Sequence, residues 1–278
     1  MNTAIVTDST AYLTAEARRK HNIHMIPLQV TIGMESFEEE QELTVEEFYR
    51  KSAIEMPKTS QPPIGEFIRL YNRLAENHQE IISIHLSSGI SGTYAGAIQA
   101  GELVENVNVH AFDSEVSCAM QGFYAVKAAE MASNGASAAE IMQELEKMKK
   151  TMQAYFMVED LKHLQRGGRL SGAQAIVGGM LQIKPILHFH ETKIIPFEKV
   201  RTRKKAMNRI VALLEEDLRS GGSYKAAVIH ANREEDAIQW KKELVEKFPS
   251  VEFEISYFGP VIGTHLGEGS MGLGWVKK

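Results

Sequence analysis

Ile81-Ile82-Ser83-Ile84-His85-Leu86-Ser87-Ser88-Gly89-Ile90-Ser91-Gly92-Thr93 runs from a short apolar segment through a hydroxyl- and glycine-rich turn into a small-residue helix. Strand, loop and helix in that order are the unit from which parallel sheets with crossover helices are built. Backbone N–H groups at the helix start, joined by three serine hydroxyls and a threonine, make a cradle for a small anionic group. No lysine or arginine lies in 87–93, so the anion would be held by neutral donors and the helix dipole. That favours a carboxylate or a single phosphate over a polyphosphate.

The same alternation extends through the first half of the chain. Segments 4–7, 25–32, 81–86 and 107–112 read as strands, and 15–20, the stretch after Thr44, 65–77, 91–103 and 116–132 read as helices. Thr44 with Glu47, and Ser137 with Glu140, have capping-box spacing. After the lysine-rich end of a helix over 138–150 the pattern changes. A short apolar run (156–158), a helical stretch (161–166) and a glycine-rich segment (166–179) precede a hairpin of 182–189 with 193–201. An amphipathic helix (202–218), a strand (226–231), a helix to Phe248 and a strand (251–257) follow. The expectation is an α/β protein of two domains with the ligand between them. Residues 1–152 would form a Rossmann-like parallel-sheet domain with the carboxylate-binding loops, and 153–278 an α/β domain with a mixed sheet. No low-complexity linker or internal repeat marks the division.

With 278 residues, 44% of them hydrophobic, the chain has room for two real cores. Its net charge of −5 gives no general attraction to nucleic acid or to anionic membranes. The only cysteine, Cys118, excludes an intramolecular disulfide, and Asp8 interrupts the first apolar run, so no secretory segment is expected and the cytoplasm is the default location. No uncharged apolar stretch approaches the roughly 18 residues of a membrane span, so no stable membrane insertion is expected.

Because ligands of open parallel sheets bind beyond the carboxyl ends of the strands, the loops there matter most. Asp8-Ser9-Thr10 and Asp113-Ser114 read as helix caps or as further ligand loops. In Thr59-Ser60-Gln61-Pro62-Pro63 two prolines stiffen the approach to a helix and hold the hydroxyls in a rigid loop, which suits capping or ligand binding. The glycine-dense 259–269 loop carries one histidine, His265, whose imidazole N–H is one more donor to an anion. Basic residues cluster at Arg166 and Arg169, and again at Arg201, Arg203, Lys204 and Lys205, as solubilising charge or as a docking surface.

The motifs that would signal other chemistry are absent. There is no Walker-type loop, no Gly-x-Gly-x-x-Gly after the first strand and no Gly-x-Ser-x-Gly elbow. His188 and His190 alternate on an expected strand without partners at metal-ligand spacing, so no metal and no cofactor are expected. The chain advertises a binding site more than a catalytic one.

Asp8-Ser-Thr-Ala, Thr59-Ser-Gln-Pro, Ser87-Ser-Gly-Ile-Ser-Gly-Thr, Arg166-Gly-Gly-Arg-Leu-Ser, Lys184-Pro-Ile-Leu and Gly263-Thr-His-Leu-Gly together resemble the DegV family, in order and over the whole chain. The resemblance implies a protein that encloses a long-chain fatty acid, similar to the B subunit of bacterial fatty acid kinase. Such a subunit has no catalytic activity of its own and presents the acyl carboxylate to a separate ATP-binding kinase subunit, which makes an acyl phosphate for phospholipid synthesis. Carried onto this sequence, Thr59, Ser91 and His265 would hold the carboxylate, with Ser60, Ser88 and Gly92 beside them. Arg169, Arg201 and Arg203 would face the kinase. Tyr12 departs from the opening pattern, where an acidic residue is more usual.

The tail would gain about 0.8 kcal/mol per buried methylene, on the order of 10 kcal/mol before binding costs. Neutral head-group donors would then mainly orient the carboxylate. Met120 and Phe123, with Ala175, Ile176, Gly178, Gly179 and Met180, are the expected tunnel lining. Two other readings stay open: a lipid esterase or thioesterase with Ser91 or Ser88 activated by His265, and a module for another small organic anion.

Overall fold

The computed structural model describes residues 2–171 and 183–278. Strand β1 (Thr3–Asp8) is buried along its whole length, as a central strand covered on both faces must be. It leads through α1 (Ala15–His21) to β2 (Ile23–Ile26). The expected single strand over 25–32 is broken there. Pro27 has no N–H for a ladder, and the chain turns away to form β3 (Gln29–Ile32), β4 (Glu35–Glu38) and, after α2 (Val45–Ser52), β5 (Lys58–Ser60). These make a separate antiparallel sheet in the order β4-β3-β5. The segment around Thr59, expected as a loop, is therefore strand, with Thr59 paired to Val30.

Helix α3 (Ile64–Ala75), β6 (Glu80–His85), α4 (Thr93–Glu102) and β7 (Asn108–Asp113) complete a parallel sheet ordered β2-β1-β6-β7. Phe67, Leu70, Tyr71 and Leu74 of α3 pack with Ala97 and Ala100 of α4 on Ala4, Val6 and Ile81. Helix α5 (Ala119–Ser133) lies on the other face, followed by α6 (Ala138–Lys149). It starts three residues later than its apolar pattern suggests, because Cys118 takes a positive φ of 60° just before it. Alanines at 125, 128, 129 and 132 keep this helix thin enough to be buried between two sheets.

The second sheet uses β8 (Gln153–Met157), then, beyond α7 (Lys162–Gly167), β9 (Lys184–His190), β10 (Lys193–Val200) and, after α8 (Arg203–Leu218), β11 (Tyr224–His230). Helix α9 (Glu234–Lys247), β12 (Val251–Tyr257), α10 (Pro260–Leu266) and β13 (Met271–Lys277) follow. The sheet is mixed, ordered β10-β9-β8-β13-β11-β12, with β11 and β12 parallel and the other neighbours antiparallel. Helices α8 and α9 cover one face, where Trp275 is fully buried and donates from Nε1 to Asp217 Oδ2 at 2.6 Å. Burying such side chains contributes about 1.5–3 kcal/mol each. The opposite face looks toward α5 and the parallel sheet.

In the second half of the chain the sequence pattern missed two elements. The glycine-dense 259–269 segment is mostly helix α10, begun by Pro260 at its first turn. Its Gly263 lies against Phe48 and Tyr49 of α2, where a Cβ would come within 2.7 Å of the Tyr49 hydroxyl. Strand β13 was hidden because glycines alternate along it.

Candidate functional site

Between the two sheets lies a cavity of about 300 Å³, near the lower bound of the roughly 300–1,000 Å³ usual for small-molecule sites. Most of its wall is apolar, with Leu86, Met120, Phe156, Phe258 and Ile262 among the residues that face it. Its polar wall is made by Thr59, Ser60, Gln61, Ser91, Gly92, Arg169 and His265.

Thr59 and His265 meet across 206 positions of sequence, with Thr59 Oγ1 3.0 Å from His265 Nε2. Helix α10 delivers the histidine. Its first turn is tied to the first half of the chain: Val261 N–H donates to Glu39 Oε1 at 2.6 Å and Ile262 N–H to the Tyr12 hydroxyl at 3.2 Å. Glu39 also accepts from the Ser9 hydroxyl at 2.6 Å and the Tyr12 hydroxyl at 2.9 Å. Burial pushes the Glu39 carboxyl up to about 8, against the lowering by these three hydrogen bonds. Tyr49 on α2 adds a hydrogen bond from its hydroxyl to Phe258 O at 2.7 Å.

The imidazole of His265 is kept neutral. Burial, and then the charges of Arg169 and His163, lower its pKa to about 4. Its Nδ1 is buried without a partner beneath Gly167, whose missing side chain lets the backbone lie against the ring. A neutral imidazole beside a hydroxyl, with a guanidinium on the same wall, suits a carboxylate better than a cation.

Ser91 lies just ahead of α4, whose N-cap is Gly92: its Oγ lies 2.8 Å from Thr93 Oγ1 and accepts from Thr93 N–H at 3.3 Å. The Gln61 side chain lies over Gly92, which has room for it only because it lacks a Cβ. Arg169 donates from Nε to Ile90 O at 3.1 Å and from Nη1 to Gly167 O.

The structure separates other expected residues from this wall. Ser88 is exposed, its N–H held by Asp113 Oδ1 at 3.1 Å, and it does not face the cavity. Phe123 does not face the cavity and lies under Lys225 Nζ at 4.4 Å: three residues on from Met120 it keeps roughly the same face of α5 but sits about 4.5 Å farther along the axis. Ala175, Ile176, Gly178, Gly179 and Met180 lie outside the described residues. Arg201 is exposed. Arg203 is engaged within the fold, donating to Glu159 Oε1 and Gly269 O at 3.1 Å and to Asp236 Oδ2 at 2.9 Å.

Sequence reading also missed part of the wall. Gly272 and Gly274 face the cavity from β13, where a Cβ on Gly274 would collide with Met120 Sδ and one on Gly272 would come within 3.1 Å of Phe258 Cζ. The signal was the period-two pattern Gly272-Leu273-Gly274-Trp275, which leaves one face bare and the other bulky. Cys118 lines the cavity too, and burial pushes its thiol far up, so it presents a neutral sulfur.

The hydrogen bonds do not assemble a nucleophile. Ser91 pairs with Thr93, His265 pairs with Thr59, and the free imidazole nitrogen meets no carboxylate. An Asp8–His85–Ser83 series does exist, with Oδ2 to Nδ1 at 3.0 Å and Nε2 to Oγ at 2.7 Å. All three are fully buried away from the cavity wall, and Ser83 Oγ also accepts from Tyr71. Asp8 further accepts from Thr10 N–H and Leu86 N–H at 3.0 Å, so it secures the loops after β1 and β6. Among the described residues no group of three or more His, Cys, Asp or Glu is placed to hold a metal, and no helix is long and apolar enough to cross a membrane.

Comparison with known proteins agrees with this architecture. Protein DegV of Bacillus subtilis (strain 168) is 59% identical over 281 residues, covering all of both chains. The crystal structure of DegV from Bacillus subtilis, described as a fatty acid binding protein, superimposes with a TM-score of 0.95 at 58% identity over all of both chains. A fatty acid binding DegV family protein from Streptococcus agalactiae gives a TM-score of 0.92 at 33% identity, covering 100% of this chain and 99% of the other. The model of the DegV family, described as uncharacterised proteins, matches residues 2–278. With the family model matching 2–278 and these relatives similar over the whole chain, the chain belongs to the DegV family.

Proposed function

We propose that this protein binds a long-chain fatty acid non-covalently, with the tail in the apolar cavity and the carboxylate at Thr59, Ser91 and His265. The observation that carries the reading is the cavity's division into one polar wall and an otherwise apolar interior, in a family whose structurally similar members are described as fatty acid binding. Apolar burial supplies the affinity, and neutral donors orient the head group.

In this reading the carboxylate is presented to a separate ATP-binding kinase subunit in the cytoplasm, and the chain itself is not an enzyme. Residues 1–152 supply most of the carboxylate loops, and 153–278 close the cavity. Arg169 and Arg201 belong to the docking face. Arg203 has a structural duty as well, so replacing it disturbs the start of α8.

Native mass spectrometry of the purified protein, followed by organic extraction, tests the binding. The expected result is a one-to-one adduct of fatty-acid mass released intact by solvent. A protein that is empty and takes up no added long-chain acid overturns the reading, and a covalent acyl adduct replaces it with the esterase.

A further inference from the structure

Ser87-Ser88-Gly89 opens the turn after β6, yet none of the three faces the cavity between the sheets. Ser87 is fully buried and donates from its hydroxyl to Thr192 O at 2.5 Å. Gly89 lies against the same residue, where a Cβ would collide with the Thr192 carbonyl oxygen. Two residues of this turn thus serve the tip of the β9–β10 hairpin, 105 positions further along the chain.

That tip is weakly held by its own sheet. The β9–β10 ladder runs the whole length of the hairpin, from His190↔Lys193 to Lys184↔Val200, but the β8–β9 ladder runs only from Tyr155↔His188 to Met157↔Ile186. Beyond it, Gln153 and Ala154 of β8 and Phe189 and His190 of β9 line a gap of about 280 Å³. The turn residues Glu191 and Thr192 have φ of 46° and 69°. A two-residue hairpin turn takes positive φ at both positions most readily as Asn-Gly, and a β-branched threonine resists it. The seated tip therefore depends on Ser87 and Gly89 more than on its own preference.

The same hairpin is part of the cavity wall. Phe189 and Ile194 line the cavity from the hairpin, and Ile90 and Ser91 line it from the turn after β6. Arg169 ties the two, donating from Nε to Ile90 O at 3.1 Å, while Leu170 bridges to Ile194 and Ser171 N–H donates to Ile194 O at 3.0 Å. Lifting the tip would part this wall beside Ser91 without unpairing β9 from β10. We propose, on the strength of the fatty-acid reading, that Ser87, Gly89 and Thr192 form a clasp on the cavity: the fatty acid enters and leaves when the β9–β10 tip lifts off the turn, and the seated tip retains it.

Stopped-flow fluorescence with cis-parinaric acid and the delipidated full chain tests this. Because a gate hinders entry and exit alike, Gly89→Ala should raise both rate constants at least about fivefold and change the dissociation constant less than about threefold. Ser87→Ala should do the same more weakly, and answers for a Gly89→Ala protein that fails to fold. Thr192→Asn keeps the carbonyl and accepts a positive φ more readily, so it should slow both steps. Unchanged rates in Ser87→Ala and in a folded Gly89→Ala, or faster release with unchanged entry, overturn the proposal. Amide hydrogen exchange of peptides spanning 186–196, without lipid, reads the clasp apart from its cargo and should be faster in both variants than in the wild type. Unchanged exchange overturns the clasp. A wild type that takes up no parinaric acid overturns the fatty-acid reading, while faster exchange in the variants still upholds the clasp.

Discussion

Glu39→Gln separates the charge of the buried carboxyl from its shape. The carboxyl is fully buried and ties the start of α10 to Ser9 and Tyr12, with a pKa pushed up from 4.5 to about 8. Between those values the folded protein keeps a proton that the unfolded chain releases. Stability must therefore fall as pH rises through that window, by about 1.4 kcal/mol per pH unit. Glutamine keeps the size and one carbonyl acceptor for Val261 N–H but does not titrate. From about pH 6 to about pH 7.5 the wild type should lose about 2 kcal/mol relative to the variant. Urea unfolding followed by circular dichroism, at constant ionic strength and several pH values, reads that difference directly. Taking the difference cancels groups that titrate alike in both proteins. Parallel stability curves, or a wild type that gains on the variant as pH rises, would show that Glu39 is ionised in the folded protein and refute the reasoning.

Thr59→Ala and Ser91→Ala should impair acyl-phosphate formation with a kinase partner at least tenfold while changing fatty-acid affinity less than threefold, about 0.6 kcal/mol. Paired measurement of dissociation constants and turnover checks this, and equal losses in both would mean the carboxylate lies elsewhere. Gly274→Val should abolish fatty-acid uptake or restrict it to shorter chains, because its side chain claims space held by Met120. Overpacking should cost about 1–3 kcal/mol of stability, so the variant remains folded by circular dichroism. Unchanged chain preference in extracted lipid would remove Gly274 from the wall.

The parallel sheet was legible because its strands are short β-branched runs and its helices bury a clear apolar stripe, as Phe67, Leu70, Tyr71 and Leu74 do. The small antiparallel sheet was not. Its strands Glu35–Glu38 and Lys58–Ser60 are short and polar, with no alternation to betray them. Helix α10 and β13 were obscured by glycines that serve close packing, against Tyr49 at 263, Phe258 at 272 and Met120 at 274.

The site divides the same way. Thr59, Ser91 and His265 are chemical signals visible in one dimension, and the fold brings them to one wall. Glu39, which tethers the helix carrying His265, is the middle one of three successive glutamates, and nothing in that run marks it as the buried one, because burial is a property of the folded chain. Ser88 was expected as one hydroxyl of the turn after β6 and Phe123 as an apolar residue at helical spacing from Met120, and neither signal fixes which way a turn points a side chain or how far along a helix the cavity extends.

Strand β13 sits between β8 and β11, although it follows both in the chain. During synthesis β8 can pair with β9 and β11 with β12, but each leaves the ribosome with its other edge open, and the bare face of Gly272 and Gly274 does not yet exist. The cavity wall is thus complete only once β13 has been inserted, and until then the two waiting edges are where the chain invites chaperones or mispairing. Removing residues 271–277 would not trim an end but would split the sheet into β10-β9-β8 and β11-β12.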